Sequence, residues 1–226
     1  MKIITIVGAR PQFIKAAVLS RQFKKYGINE IIVHTGQHFD DNMADLFFRQ
    51  MEIPEPKYNL GVNSLSHGAM TGRMMEGTES ILLEEKPSGV VVFGDTDSTL
   101  AGALAAVKLS IPVAHVEAGL RSFNMRMPEE INRILTDRIS AFLFCPTERA
   151  VQNLSDEGFD RFNVLIENSG DVMYDAALLF GDAAAGYSRP ARKIIEDGRP
   201  FILATLHRRE NIDNPARLRA VVNALN

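Results

Sequence analysis

The sequence has 226 residues, of which 46% are apolar and 23% charged, with a formal net charge of −3. That is enough chain for one large domain or two small ones, and its charge supports neither a nucleic-acid footprint nor a membrane-surface one. A single cysteine, Cys145, cannot form an internal disulfide and lies in an apolar run, so it reads as a buried reduced thiol, which fits the cytoplasm.

The apolar stretch at residues 1–7 is short, has no cleavage-site pattern and meets Gly8-Ala-Arg10 at once, so it resembles a signal peptide only superficially. No segment approaches the roughly 20 apolar residues a membrane span needs.

Short Ile- and Val-rich runs alternate with longer helical patterns, the signature of βαβ units and a buried parallel sheet. The spacing predicts strands over 3–7, 30–34, 90–93, 111–116, 141–145 and 163–167. Helices are predicted from Pro11, over 43–51, 64–85 and 99–109, from Pro128, and over 148–157. Residues 54–60 read as an extended connection. After residue 170 the rhythm changes: a small-residue helix to about 186, a short helix over 189–196, a strand over 201–205 and a helix from Pro215. A lone parallel strand cannot make a domain. The expectation is a doubly wound α/β domain over 1–170, with 171–226 a linker and the start of a second domain whose remainder is missing.

In open parallel sheets the ligand crevice lies beyond the carboxyl ends of the strands. The residues collected there are Arg10 with Lys15, His34 to His38, Asp95 and Asp97, Glu117 and Arg121, and later His207 and Arg208. Cations suit a phosphate-bearing ligand, and carboxylates suit proton transfer or hydroxyl recognition. Each has a plainer competitor. Gly8-Ala-Arg10 lacks the spacing of a dinucleotide or Walker loop and can be a tight turn. Asp95-Thr-Asp97 can cap the next helix, and no further acidic cluster supports a metal. Glu129 and Glu130 favour a helix N-terminus anyway, Glu129 and Arg133 stand at i,i+4, and His207-Arg-Arg can be a solvated basic patch. No nucleophilic triad is visible.

Seven segments carry a resemblance: Gly8-Ala-Arg-Pro11, Thr35-Gly-Gln-His38, Gly94-Asp-Thr-Asp-Ser98, His115-Val-Glu-Ala-Gly-Leu-Arg121, Pro128-Glu-Glu-Ile-Asn-Arg133, Cys145-Pro-Thr-Glu148 and Thr205-Leu-His-Arg-Arg-Glu-Asn211. In order and spacing they resemble the non-hydrolysing UDP-N-acetylglucosamine 2-epimerases of bacterial polysaccharide synthesis. The resemblance implies two Rossmann-like domains arranged as in glycosyltransferase B, a homodimer, and a UDP-sugar substrate handled without cofactor or metal. Arg121-Ser-Phe-Asn-Met-Arg-Met-Pro128 and Gly170-Asp-Val-Met-Tyr-Asp175 look more like the branch acting on UDP-2,3-diacetamido-2,3-dideoxyglucuronate in O-antigen synthesis, which is the alternative substrate.

The chemistry so implied is anti elimination of UDP to a 2-acetamidoglycal, followed by re-addition with C2 protonated from the other face. Asp95, Glu117 and Glu129 would then handle the C2 proton and the oxocarbenium-like charge, with base and acid unassigned. Arg10, Lys15, Arg121, Arg133 and Arg208 would bind substrate, and His207 would stabilise the departing UDP. Gln37, His38 and Arg73 match a second, activating substrate site of some bacterial members. A chain of this length, lacking half the nucleotide contacts, is expected not to turn over alone. The competing readings are a glycosyltransferase of the same two-domain fold and a non-catalytic sugar-nucleotide binder.

Overall fold

A parallel sheet buries both faces, so its strands read as continuous apolar runs. In β1 (Lys2–Val7), Ile3 and Val7 turn to one face, Ile4 and Ile6 to the other, and all four are buried. Each such side chain contributes about 1.5–3 kcal/mol on leaving water. The computed structural model describes residues 1–37, 53–181, 193–194, 196–206 and 214–225. Seven parallel strands run in the order β3-β2-β1-β4-β5-β6-β7: β2 (Asn29–His34), β3 (Tyr58–Asn59), β4 (Gly89–Phe93), β5 (Val113–Val116), β6 (Phe142–Cys145) and β7 (Leu165–Asn168) flank or follow β1. Strand order reverses between β1 and β4, which makes their carboxyl ends the switch point of a doubly wound fold.

On one face α1 (Arg10–Lys25) packs Phe13, Ala16 and Ala17 onto Ile3, Ile32, Val91 and Phe93. The other face is covered by α2 (His67–Glu85), α3 (Asp97–Lys108) and α4 (Pro128–Ile139), with Ile81, Leu82, Ala103 and Ala106 among the inward residues. Next to them α5 (Glu148–Asp156) sets Ala150 and Leu154 against Leu143 and Cys145. The last helix of this unit, α6 (Val172–Gly181), packs against α1. An apolar cavity of about 510 Å3 opens on the α1 face between Leu19, Phe23, Ala114, Phe142 and Val172, and none of the residues collected at the strand ends lines it.

Two compact units result, Met1–Ala183 and Ala184–Asn226. Three expectations need amendment. The connection at 54–60 contains the edge strand β3, where Val33↔Tyr58 and His34↔Asn59 pair. The helix predicted from 64 starts at His67, after Ser66 in extended conformation. Residues 201–205 form no strand: they lie in coil, with Ile202 and Leu203 more than four-fifths exposed, because a parallel strand exists only against a neighbour. In that second unit α7 (Pro215–Leu225) forms as predicted. The predicted helix at 43–51 and most of that at 189–196 lie outside the described residues.

Candidate active site

The switch point places the loop after β1 beside the loop after β4, and one buried side chain ties them. Gln12 Oε1 accepts from the N–H groups of Gly8 and Ala9 at 2.8 and 3.0 Å, while its Nε2 donates to Phe93 O at 2.8 Å and to the Thr96 and Thr99 hydroxyls at 3.0 Å. The cap of α3 falls on Thr96, whose hydroxyl accepts from Thr99 N–H at 3.3 Å. Asp97 ties α3 to its neighbouring helices: Oδ2 pairs with His67 Nδ1 of α2 at 2.9 Å and Oδ1 accepts from Asn132 Nδ2 of α4 at 3.1 Å. The same Asn132 amide donates to Asp95 O at 3.0 Å, so α4 is pinned to the loop that carries Asp95.

Two carboxylate–cation pairs stand at adjacent strand ends. Glu117, just after β5, pairs with buried Lys15 of α1, and Asp95, just after β4, pairs with Arg133 of α4. Their side chains keep 15% and 32% of their surface open, enough to meet a ligand. Glu117 has a left-handed backbone, φ 70°, which costs a side chain-bearing residue roughly 1–2 kcal/mol. Strain of this kind persists only where the surroundings over-determine it.

Arg133 also donates from Nη1 to Glu130 Oε2 at 2.8 Å; the pair expected at i,i+4 with Glu129 forms at i,i+3 with Glu130 instead. Glu130 is buried and accepts from the N–H groups of Ser122 and Phe123 at 2.7–3.0 Å, which anchors the loop before α4. Burial alone would raise its carboxyl, but those hydrogen bonds and Arg133 outweigh it and hold the group below the usual carboxylate range. Glu129 is exposed and has no ion-pair or hydrogen-bond partner among the described residues.

Behind Glu117 lies a closed network. His115 and Asp137 are fully buried; Nδ1 lies 2.7 Å from Asp137 Oδ1 and Nε2 2.7 Å from Gly94 O, so the ring bridges the two. Asp137 Oδ2 accepts from Gly119 N–H at 3.1 Å and from Arg121 Nη1 at 2.7 Å. Arg121 then forks onto Glu157, Nε to Oε1 at 2.6 Å and Nη2 to Oε2 at 2.8 Å. Burial would lower this guanidinium, and the hydrogen bonds and charges of Glu157 and Asp137 more than reverse that. With its side chain 1% exposed, Arg121 turns inward and does not face the crevice as expected for a substrate ligand.

Arg10 starts α1 and is exposed. Gln37 is half-buried and its Oε1 accepts from Ser98 N–H at 3.1 Å and Ser98 Oγ at 2.6 Å, so it caps α3 rather than standing free. Arg73 is exposed on α2, 3.5 Å from Glu76. His38, His207 and Arg208 lie outside the described residues. Among the described residues no group of three or more His, Cys, Asp or Glu is arranged to hold a metal.

A sequence model described as UDP-N-acetylglucosamine 2-epimerase matches residues 21–226. The chain belongs to that family. Over its full length it is 59% identical to the UDP-2,3-diacetamido-2,3-dideoxy-D-glucuronate 2-epimerase of Pseudomonas aeruginosa, covering 63% of that protein. It is 46% identical to the UDP-N-acetylglucosamine 2-epimerase of Methanocaldococcus jannaschii, covering 62% of it. A crystal structure of the Methanocaldococcus jannaschii UDP-GlcNAc 2-epimerase in complex with UDP-GlcNAc and UDP matches with a TM-score of 0.87 at 47% identity, over 99% of this chain and 61% of that one. The chain thus spans about three-fifths of the length of these relatives.

In this member of the epimerase family, sequence reasoning passed over Gln12, His67, Asn132 and Asp137, and read Glu130 only as an acidic residue favoured at a helix N-terminus. A signal existed for the three on α4: Glu130, Asn132 and Asp137 are, with Thr136, its buried residues, and polar residues at inward helix positions call for partners. Gln12 and His67 left none, because the partners that tie them across the site, Phe93, Thr96 and Thr99 for Gln12 and Asp97 for His67, are distant in sequence.

Proposed function

We propose that the protein carrying this chain inverts C2 of a UDP-2-acetamido sugar by eliminating UDP and adding it back. The observation that carries the proposal is the pair of carboxylates at neighbouring strand ends, Asp95 and Glu117, each with a cation from a different helix. The C2–H of such a sugar has no adjacent carbonyl to stabilise a carbanion. Removal of that proton as the C1–O bond breaks sends the electron pair out with UDP and leaves a 2-acetamidoglycal. A UDP oxygen then bonds to C1 while a proton reaches C2 from the opposite face.

Asp95, Glu117 and the exposed Glu129 supply carboxylates for those transfers and for positive charge developing at C1. Lys15, Arg133 and Arg10 offer cations to the sugar and diphosphate, while His207 and Arg208, together with further residues of a second Rossmann-like domain, receive the departing UDP. Arg121 acts by holding the scaffold. Gln37, His38 and Arg73 remain candidates for an activating substrate site. A homodimer working in the cytoplasm belongs to the same proposal; a monomer mass by light scattering would remove the dimer.

Two substrates compete. UDP-N-acetylglucosamine is the first, and UDP-2,3-diacetamido-2,3-dideoxyglucuronate is favoured by the higher identity to the Pseudomonas aeruginosa relative. Incubating each with the full-length protein in D2O tests both readings. Epimerised product carrying solvent deuterium at C2 is expected for the true substrate; epimer without C2 deuterium overturns elimination, and no epimer from either sugar overturns the proposal.

A further inference from the structure

We infer that His115 and Asp137 are positioning residues that set Asp95 and Glu117 relative to one another, an inference resting on the epimerase reading of this site. The two carboxylates follow different strands and sit on glycine-containing loops. One ring and one carboxylate join those loops. His115 Nε2 holds Gly94 O, the residue before Asp95, and Gly94 N–H donates to Val116 O, the residue before Glu117. Asp137 Oδ2 holds Gly119 N–H two residues beyond Glu117, and its Oδ1 holds the ring. The strained Glu117 backbone is therefore tied on both sides, through its neighbours, to a single rigid unit.

Neither residue can touch substrate, since both are fully buried. Nor does packing require them: apolar side chains of similar volume fill such space at lower desolvation cost. What an apolar pair lacks is a donor for Gly94 O and an acceptor for Gly119 N–H. Arg121 pairs with Asp137, and Glu157 pairs in turn with Arg121.

The test uses two variants of the full-length protein that each keep half of the ring's bonding. The amide of His115→Asn can stand where Nδ1 stands and keep Asp137; that of His115→Gln can reach the Nε2 position and keep Gly94. If the ring positions Asp95, His115→Asn lowers kcat by about 10²-fold with KM changed by less than about threefold, and His115→Gln recovers at least about tenfold of that loss. Equal kcat losses in the two variants, or a His115→Asn kcat per folded molecule at the wild-type level, overturn the inference. Amide hydrogen exchange on the same proteins without substrate reads the anchoring directly: faster exchange at residues 94–97 in His115→Asn than in His115→Gln, with β1 unchanged, is expected. Indistinguishable exchange overturns the positioning role even if activity is altered. Failure of the wild-type protein to epimerise either UDP-sugar would strike the epimerase reading alone, and the exchange comparison would still decide the anchoring.

Discussion

The carboxylate of Glu117 lies over Gly94: a Cβ built on that glycine would stand 3.2 Å from Glu117 Oε2 and 3.5 Å from Lys15 Nζ. Gly94 has φ 62°, so the turn after β4 is both left-handed and overhung by the charged pair. Gly94→Ala is expected to cost about 1–2 kcal/mol of stability from backbone strain. It should also push the carboxylate off its position and lower kcat by at least about tenfold. Urea unfolding and steady-state rates check the two effects, and a fully active Gly94→Ala protein would mean that the contact is slack.

Glu129 and Glu130 are adjacent in sequence and opposite in circumstance. Glu130 is buried against Ser122, Phe123 and Arg133, so Glu130→Gln should lower the unfolding midpoint clearly, while Glu129→Gln should leave it within about 0.5 kcal/mol and lower kcat instead. The folded carboxyl of Glu130 is held below its unfolded value of about 4.3. Its contribution is therefore complete above that value and is lost as pH falls from about 4.3 through the folded value. A Glu130→Gln protein should show a smaller loss of stability than wild type over that acid range, measured by denaturant titration.

Removal of Arg121 leaves Asp137 buried beside one cation fewer. Arg121→Met is expected to cost about 3–5 kcal/mol, the penalty for an uncompensated buried charge. The fork onto Glu157 makes Arg121→Lys a poor rescue, since an ammonium cannot span two carboxylates in that geometry. Weaker UDP-sugar binding with undiminished stability would return Arg121 to the substrate.

Burial, with Asp137 adding and Arg121 opposing, pushes the Cys145 thiol up to about 12. The native protein should resist iodoacetamide at pH 8 and react on unfolding. Because the folded value lies above the unfolded value of about 8.5, the stabilising term is present below about 8.5 and lost as pH rises towards 12, at about 1.4 kcal/mol per pH unit. Cys145→Ala should flatten that part of the stability curve; an unchanged slope would show that other groups govern it.

Sequence alone determined the parallel, doubly wound domain, because a strand buried on both faces must be apolar throughout and the helices between strands must carry period-3.6 stripes. It also determined which residues reach the carboxyl ends of the strands, since that follows from strand boundaries, and so it collected Lys15, Asp95 and Glu117 at one crevice; Arg133, inside α4, follows no strand and is reached only through the family resemblance. The two-residue strand β3 was beyond it: Tyr58–Asn59 is too short to show a period and exists by pairing with Val33 and His34.

The division of labour among like residues was decided in three dimensions. Periodicity offers Arg133 a carboxylate at i−4 and another at i−3, and only the path of the loop at Ser122 and Phe123 selects Glu130 and leaves Glu129 to solvent. Arg121 follows strand β5 as a substrate ligand would, yet Asp137 and Glu157, 16 and 36 positions away in the chain, turn it inward. Charges separated by that much sequence meet only because the sheet and its helices have already folded, and their pairing energy depends on the burial that folding creates.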